Sequence, residues 1–345
     1  MAKAVKLADI AEKVGVSTVT VSKALSDQKG VSEELREKIK QLAGQMGYQP
    51  PAASKKASGT KQYNIGVLIQ EIYLDKYASF YWQLYQELTK RAVSRGNFTI
   101  LELVSRSDVS AATTPMLVQE KRADGIVVIG SMNKEYLLNL EASGIPVVYM
   151  DYYDNEREID TVIANSFYGS YMLTNYLYDI GHRDIAYVGT LCATNSITDR
   201  FLGYMKSLME HGSTYRKEWI IDDRDKETGN IDVDKYLQLP EQMPTAFVCN
   251  CDLTAGYLIK KLEKNGYSVP EDVSVVGFDN YLYPGTCDIG ITTYEIDITE
   301  MARRTMHKML KKIASEKYTS GMFTVGGHLV YKDSAAPIQK PVPPA

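Results

Sequence analysis

Four histidines (182, 211, 307 and 328) and four cysteines (192, 249, 251 and 287) are the residues of this 345-residue chain best suited to metal or nucleophile chemistry. Their spacing supports neither. The histidines show no metal-ligand pattern, and Cys249 and Cys251 have one residue between them where zinc and redox sites use two. No nucleophile elbow is present, and no Gly-rich phosphate loop follows a strand pattern. The cysteines read as reduced thiols of a cytoplasmic protein, and neither enzymatic activity nor a cofactor is expected. Two other sets of residues invite a chemical reading. The stretch GVSTVTVSKAL, residues 15–25, packs hydroxyls, small branched groups and Lys23 closely together. Farther on, Gln70, Phe80, Tyr81, Asp151, Arg200, Asp252 and Asp279 sit at the ends of apolar segments or the starts of helical ones. Carboxylates and a guanidinium accept and donate the paired hydrogen bonds of a hydroxylated ligand. Aromatic rings beside them suit a sugar face or a flat base, with Tyr281 and Tyr283 as a further wall next to Asp279.

The elements that position the first set follow from its flanks. Leu7, Ile10, Ala11 and Val14 repeat at helical spacing, and Gly15 supplies a left-handed cap. Ser17 falls at an N-cap, and Ser32 with Glu33 and Glu34 opens a third helix faced by Leu35, Ile39, Leu42 and Met46. A buried strand is the competing reading of 15–25, but its alternation breaks at SKAL. Three short helices with a tight turn between the first two describe a helix-turn-helix, whose second helix lies in the major groove. Thr18, Val19, Ser22 and Lys23 then face outward, and Val16, Val21, Ala24 and Leu25 face the core.

Charge is divided along the chain. The whole carries −4, yet residues 1–61 hold eleven Lys/Arg against six Asp/Glu, a net of +5, which leaves −9 for the rest. A small basic module beside a large acidic body suits contact with phosphates by the first alone. The segment QPPAASKKASGTKQ reads as a linker. From residue 63, short apolar runs alternate with helical patterns: YNIGVLIQ, helix 80–95, FTILELV, helix 113–122, GIVVIG, helix 133–143 and PVVYMD. A second round gives helix 167–180, DIAYVG, helix 199–211, EWIID, TAFVCN, helix 252–265 and VSVVGFD, closed by helix 299–315 and FTVGGHLVYKDS. Such runs imply two doubly wound parallel-sheet domains with a ligand cleft at the carboxyl ends of their strands. No apolar run approaches the ~20 residues of a membrane span.

The stretches LADIAEKVGVSTVTVSKALSDQKGVSEELREKIKQLAGQMGYQP, IGHRDIAYVG, DRFLGYMKSL, GYSVPEDVSVVGFDN and ITTYEID resemble the lactose/galactose-repressor family from residue 6 to about 333. The resemblance implies a small all-α helix-turn-helix headpiece on an α/β body of two periplasmic-binding-protein-like subdomains. The expected division is 1–50 headpiece, 51–62 hinge, 63–164 with 292–323 as one effector-binding subdomain, 165–291 with 324–335 as the other, and 336–345 a disordered tail. It further implies a homodimeric repressor on a near-palindromic double-stranded DNA operator, tuned by a small molecule between the lobes. Thr18, Val19 and Lys23 would read base edges, Thr20 and Ser22 would support or contact phosphates, and Tyr48 would touch the backbone. Asp279 and Arg200 would hold the effector. Three positions depart from the family: Ala57 replaces the hinge Leu that wedges into a base step, Cys251-Asp252 replaces Asn-Asp, and Asn165-Ser166 replaces Asp-Asn. The Pro-rich tail has no heptad, so a dimer and not a tetramer is expected. A sugar is the favoured effector, because acids crowd the site and oppose a phosphorylated one. The alternatives are a purine-type corepressor or a sugar-binding protein without DNA function.

Overall fold

The computed structural model describes residues 5–25, 30–46, 48, 61–74, 79–281 and 285–338. The chain divides into two compact units, Met1–Lys61 and Gln62–Ala345.

In the first unit, α1 (Leu7–Val14), α2 (Thr18–Leu25) and α3 (Glu33–Gln45) enclose Ile10, Ala11, Val21, Ala24, Ile39 and Ala43. The local signals around α1 and α2 have their partners. The Lys6 N–H donates to the Asp9 carboxylate at 2.7 Å, which anchors the start of α1. Gly15 takes φ 75° and its N–H reaches the Ala11 carbonyl at 2.9 Å, a left-handed stop that glycine adopts without strain. Ser17 Oγ accepts from the Thr20 N–H at 3.1 Å and so caps α2. Ser32 stands at the N-cap of α3 but its side chain makes no cap bond. The half-buried Val16 and Leu25 flank this core, as does Tyr48, whose N–H bonds the Ala43 carbonyl at 3.0 Å. The hinge and its wedge position, Ala57, lie outside the described residues.

In the second unit, two six-stranded sheets each carry helices on both faces. The first holds β1 (Asn64–Gln70), β2 (Phe98–Val104), β3 (Gly125–Ile129), β4 (Val147–Met150), β5 (Thr161–Ala164) and β11 (Met322–Val325) in the order β11-β5-β4-β3-β1-β2. Its pairs are all parallel. The second holds β6 (Ile185–Val188), β7 (Ile220–Ile221), β8 (Ala246–Cys249), β9 (Ser274–Phe278), β10 (Thr292–Ile296) and β12 (Gly327–Val330) in the order β12-β10-β9-β8-β6-β7, with β12 antiparallel. The runs of fully buried residues in β3, β4, β6, β8 and β9 fit sheets covered on both sides.

Between them the helices are α4 (Phe80–Val93), α5 (Arg106–Ser110), α6 (Met116–Gln119), α7 (Lys134–Ala142), α8 (Ser166–Asp179), α9 (Asn195–Glu210), α10 (Asp252–Lys264) and α11 (Ile298–Ile313). The helix expected at 113–122 is cut to the single turn α6, and α5 precedes it as a separate short helix. Pro115 stands at the N-cap of α6, and the Glu102 carboxylate takes the Met116 and Leu117 N–H groups at 2.8 Å each, which caps that start.

The chain passes between the lobes beside Asn165, Asp297 and Gly326. Asn165 and Asp297 cap α8 and α11 through the Tyr168 and Glu300 N–H groups, at 3.1 and 2.8 Å. Residues 292–296, expected with the first lobe, pair with β9 and belong to the second sheet. Residues 324–325, expected with the second lobe, pair with β5 in the first. The crossovers therefore fall a few residues from the expected boundaries, at the helix caps and at Gly326-Gly327. A Cβ on Gly327 would lie 2.0 Å from the Glu295 carbonyl oxygen, so the strand change needs glycine there. The start of the tail, expected to be disordered, is docked. The Ala336 N–H donates to Ser274 Oγ at 3.1 Å and the Ile338 N–H to the Ile180 carbonyl at 3.2 Å. No helix among the described residues is long and apolar enough to cross a membrane.

Candidate functional site

On the headpiece, burial sorts α2 into two faces. Val21 and Ala24 are inside, while Thr18, Val19, Ser22 and Lys23 are exposed, Val19 to 61 %. A branched apolar side chain left that bare costs hydration without a partner, and it sits among hydroxyls and an ammonium. Thr20 is half buried, its hydroxyl 2.9 Å from Ser17 Oγ at the helix start. The face is therefore small-featured, hydrogen-bonding and cationic, the chemistry that base edges and thymine methyls call for.

In the body, carboxyl ends of strands from both sheets bring a second group together. Asp151 follows β4 and Asp279 follows β9, and both hold left-handed backbone, φ 59° and 98°. Strain of this kind at non-glycine residues is costly and concentrates where side chains must be aimed. Arg200, on α9 and 5 % exposed, lies between several partners. Its Nη2 donates to Asp279 Oδ1 at 3.3 Å, its Nη1 to the Asn250 carbonyl at 2.5 Å, and its Cζ stands 3.8 Å above the Phe278 ring. Its Nε is buried without a hydrogen-bond partner among the described residues. From the first lobe, the Tyr81 hydroxyl donates to Asp151 Oδ2 at 3.1 Å, and Tyr81 packs against Tyr73 with ring centroids 4.6 Å apart. Both rings press on Gly130, where a Cβ would come within about 3 Å of each.

Burial pushes the Asp151 carboxyl up to about 6, against the pull of Arg200 and the Tyr81 hydrogen bond. It pushes Asp279 up to about 7, with Arg200 holding it down and the charge of Asp151 adding to the rise. The two carboxyls thus feel one another and the same guanidinium across the lobes. Gln70 ends β1 at this edge, half buried.

Two expected residues turn elsewhere. Phe80 is only 6 % exposed and joins Leu84 and Leu88 in the first lobe's core, because the first position of α4 faces the sheet and the second, Tyr81, faces Asp151. Asp252 is 2 % exposed and accepts the Tyr281 N–H at 2.9 Å; it lies against Gly277, where a Cβ would meet its carboxylate at 2.0 Å. Burial pushes its carboxyl well up, and Asp279 adds to this. It braces the turn after β9. Tyr283 lies outside the described residues.

Sequence reasoning missed Asp223, Arg224, Asn250 and Tyr73. Arg224 grips Asp223 with Nε and Nη2 at 3.0 and 2.7 Å, and its Nη2 also donates to Asn250 Oδ1 at 3.1 Å. Burial opposes the charge of Asp223, but Arg224, Thr254 and Asn250 together hold that carboxyl well below its usual range. Asp223 and Arg224 follow β7, which the run EWIID marks, so the strand-end rule that found Asp151 and Asp279 applies to them too. His182 is structural: its ring nitrogens sit 3.0 Å from Thr245 Oγ1 and 3.1 Å from Ser274 Oγ, at 3 % exposure. Among the described residues no cluster of three or more His, Cys, Asp or Glu could hold a metal ion.

Residues 6–51 match the family described as bacterial regulatory proteins of the lacI family, and residues 174–335 match a periplasmic binding protein-like domain. The chain is 28 % identical over 307 residues to the HTH-type transcriptional repressor PurR of Glaesserella parasuis, covering 88 % of this chain and 89 % of that protein. It is 28 % identical over 334 residues to PurR of Pectobacterium atrosepticum, covering 95 % and 96 %. Among solved structures, the Lac repressor dimer bound to operator and the anti-inducer ONPF shares the fold at a TM-score of 0.69 and 22 % identity, over 97 % of this chain and 100 % of that one. The transcriptional regulator CelR in complex with cellobiose does so at a TM-score of 0.65 and 19 % identity, over 96 % and 100 %. With a headpiece that matches by sequence, two lobes that match by fold, and relatives that are repressors and not enzymes, the chain joins a headpiece of the lacI family of bacterial regulatory proteins to a periplasmic-binding-protein-like body, as a ligand-responsive, DNA-binding transcriptional regulator.

Proposed function

We propose that α2 enters the major groove of a near-palindromic operator and that the protein acts there as a cytoplasmic homodimer. Thr18, Val19 and Lys23 meet base edges, Thr20 and Ser22 sit toward phosphate, Tyr48 follows the backbone, and the hinge that carries Ala57 enters the minor groove. The single observation that supports this most is the outward face of α2, where an exposed valine stands between hydroxyls and a lysine. The test is fluorescence anisotropy with duplex DNA. Affinity should fall steeply with salt, as counterion release requires, and a salt-independent or absent signal would end the proposal.

For the effector we favour a neutral, hydroxyl-rich molecule of the sugar class, held by Asp279, Arg200 and Asp151 with Gln70 and Tyr81 at its edge. Two facing carboxyls around one guanidinium match vicinal hydroxyls, which donate and accept together. The excess of acids opposes a phosphorylated ligand. A purine is the second reading, favoured by the Tyr73–Tyr81 ring pair on the first lobe and the fixed guanidinium of Arg224 on the second. A thermal-shift screen of glucose, ribose, cellobiose, glucose 6-phosphate, guanine and hypoxanthine separates these, since a ligand of the native state raises stability by mass action. The best ligand should then lose affinity in Asp279→Ala. A sugar phosphate or a purine as the strongest binder would overturn the sugar assignment.

A further inference from the structure

The lobes touch directly at the rim of the ligand cleft. Arg106, the first residue of α5 in the first lobe, reaches into the second. Its Nη2 donates to the Thr228 carbonyl at 2.9 Å and to Asn230 Oδ1 at 2.8 Å. Its own N–H is tied to Glu71 Oε1 at 3.1 Å, which fixes the arm to the turn after β1. In that turn, Ile72 approaches Gly229 so closely that a Cβ there would stand 3.4 Å from the isoleucine Cδ1.

The receiving loop is preformed. Asp225 Oδ1 accepts the Glu227 and Thr228 N–H groups at 3.1 and 2.8 Å, and its Oδ2 takes the Tyr236 hydroxyl at 2.7 Å. The Asp225 N–H closes on the Asn230 carbonyl at 2.9 Å. The loop thus presents a carbonyl and an amide oxygen side by side, one residue beyond Arg224, which stands in the cleft. A second rim contact joins the lobes elsewhere: the Tyr153 hydroxyl donates to Asp199 Oδ1 at 3.0 Å, and Asn195 Nδ2 to the Tyr153 carbonyl at 2.6 Å.

We infer that Arg106 is a positioning residue, a latch that pins the 225–230 loop of the second lobe and holds the cleft shut before any ligand enters. The ligand then meets a cleft whose opening is set by this contact, and a ligand that favours the closed arrangement adds to a bias the chain already has. Both acceptors on the far side are neutral, so the contact is a charge-assisted hydrogen-bond pair and not an ion pair. The inference rests on the cleft reading only for this consequence; the contact itself involves the chain's own atoms alone.

The experiment is hydrogen–deuterium exchange by mass spectrometry on the full, ligand-free chain, comparing wild type with Arg106→Ala, Arg106→Lys and Asn230→Ala. Losing the pair should speed exchange about tenfold in peptides covering 225–231, the scale of one to two net hydrogen bonds. The decisive readout lies at the other rim. Peptides covering 152–154 and 190–195, which Arg106 does not touch, should speed up as well, because opening is shared by both rims. Arg106→Lys should restore part of the protection. Asn230→Ala removes one acceptor from the opposite lobe and should give the same pattern at smaller amplitude, even where Arg106→Ala fails to fold. Acceleration confined to 225–231, or none at all, would overturn the latch, and either result would leave the DNA and effector readings untouched.

Discussion

Asp279→Asn should change how the body's stability depends on pH. Asp279 has a side chain 10 % exposed, and its carboxyl is raised from an ordinary value of 3.8 to about 7. A carboxyl raised in the folded state stabilises the fold most at acid pH. Below its unfolded value both states hold the proton and no penalty exists. As pH rises through 4 to 7 the unfolded chain ionises first, and stability is lost until the folded carboxyl ionises too. At ~1.36 kcal/mol per unit, this single group removes about 4 kcal/mol across that window. Asparagine cannot titrate, so the variant lacks that loss. Other carboxyls, such as those of Asp223 and Asp160, are held low and act in the opposite direction, but they are common to both proteins. The difference between wild type and variant therefore reports Asp279 together with the relief of its charge on Asp151 and Asp252, which acts in the same direction. Urea titrations in half-unit pH steps, followed by the fluorescence of Trp82 and Trp219, measure it; both tryptophans lie in the body. Wild-type stability should fall relative to the variant between pH 4 and 7.5 and run parallel above. A parallel course throughout, or a relative gain by wild type, would refute the assignment of a buried, nearly neutral acid at the end of β9.

Lys23→Ala should weaken binding to a selected operator by ~1–3 kcal/mol, the scale of one good base contact, and weaken random duplex much less; equal losses on both would reduce Lys23 to a phosphate contact. Gly203→Ala should lower the body's stability by about 1–3 kcal/mol, since overpacking is costly where α8 and α9 nearly touch. A Cβ at that position would lie 2.1 Å from the Phe167 carbonyl oxygen, and an unchanged melting temperature would show that the helices can part freely. Light scattering at micromolar concentration should give the mass of two chains; a stable mass near four would contradict the dimer.

The headpiece was legible because each of its signals is local. The Gly15 stop, the Ser17 cap and an apolar stripe at helical spacing suffice, while Ser32 stands at its N-cap without the bond. Most of the two-lobed body was legible for the same reason, through apolar runs bounded by turns. Short elements escaped. Thr161–Ala164 is a strand of four residues with a polar loop before it and a cap after it, and its register comes only from β4 and β11 on either side. The lobe boundaries escaped because chain crossings are decided by which sheet has a free edge, a long-range matter. At the site, Asp151, Arg200, Asp279 and Tyr81 come together, while Phe80 shows that position on a helix turn decides between core and cleft. Arg224 and Tyr73 were hidden because each follows a strand through a short irregular turn.

If α2 reads DNA sequence, selection from a random duplex pool by the full chain exposes the preference. Repeated capture followed by sequencing should enrich an inverted pair of half-sites, and the preferred bases should change in Lys23→Ala and Val19→Ala while the body's stability does not. A pool that remains random after selection, or an enriched site indifferent to both substitutions, would contradict it.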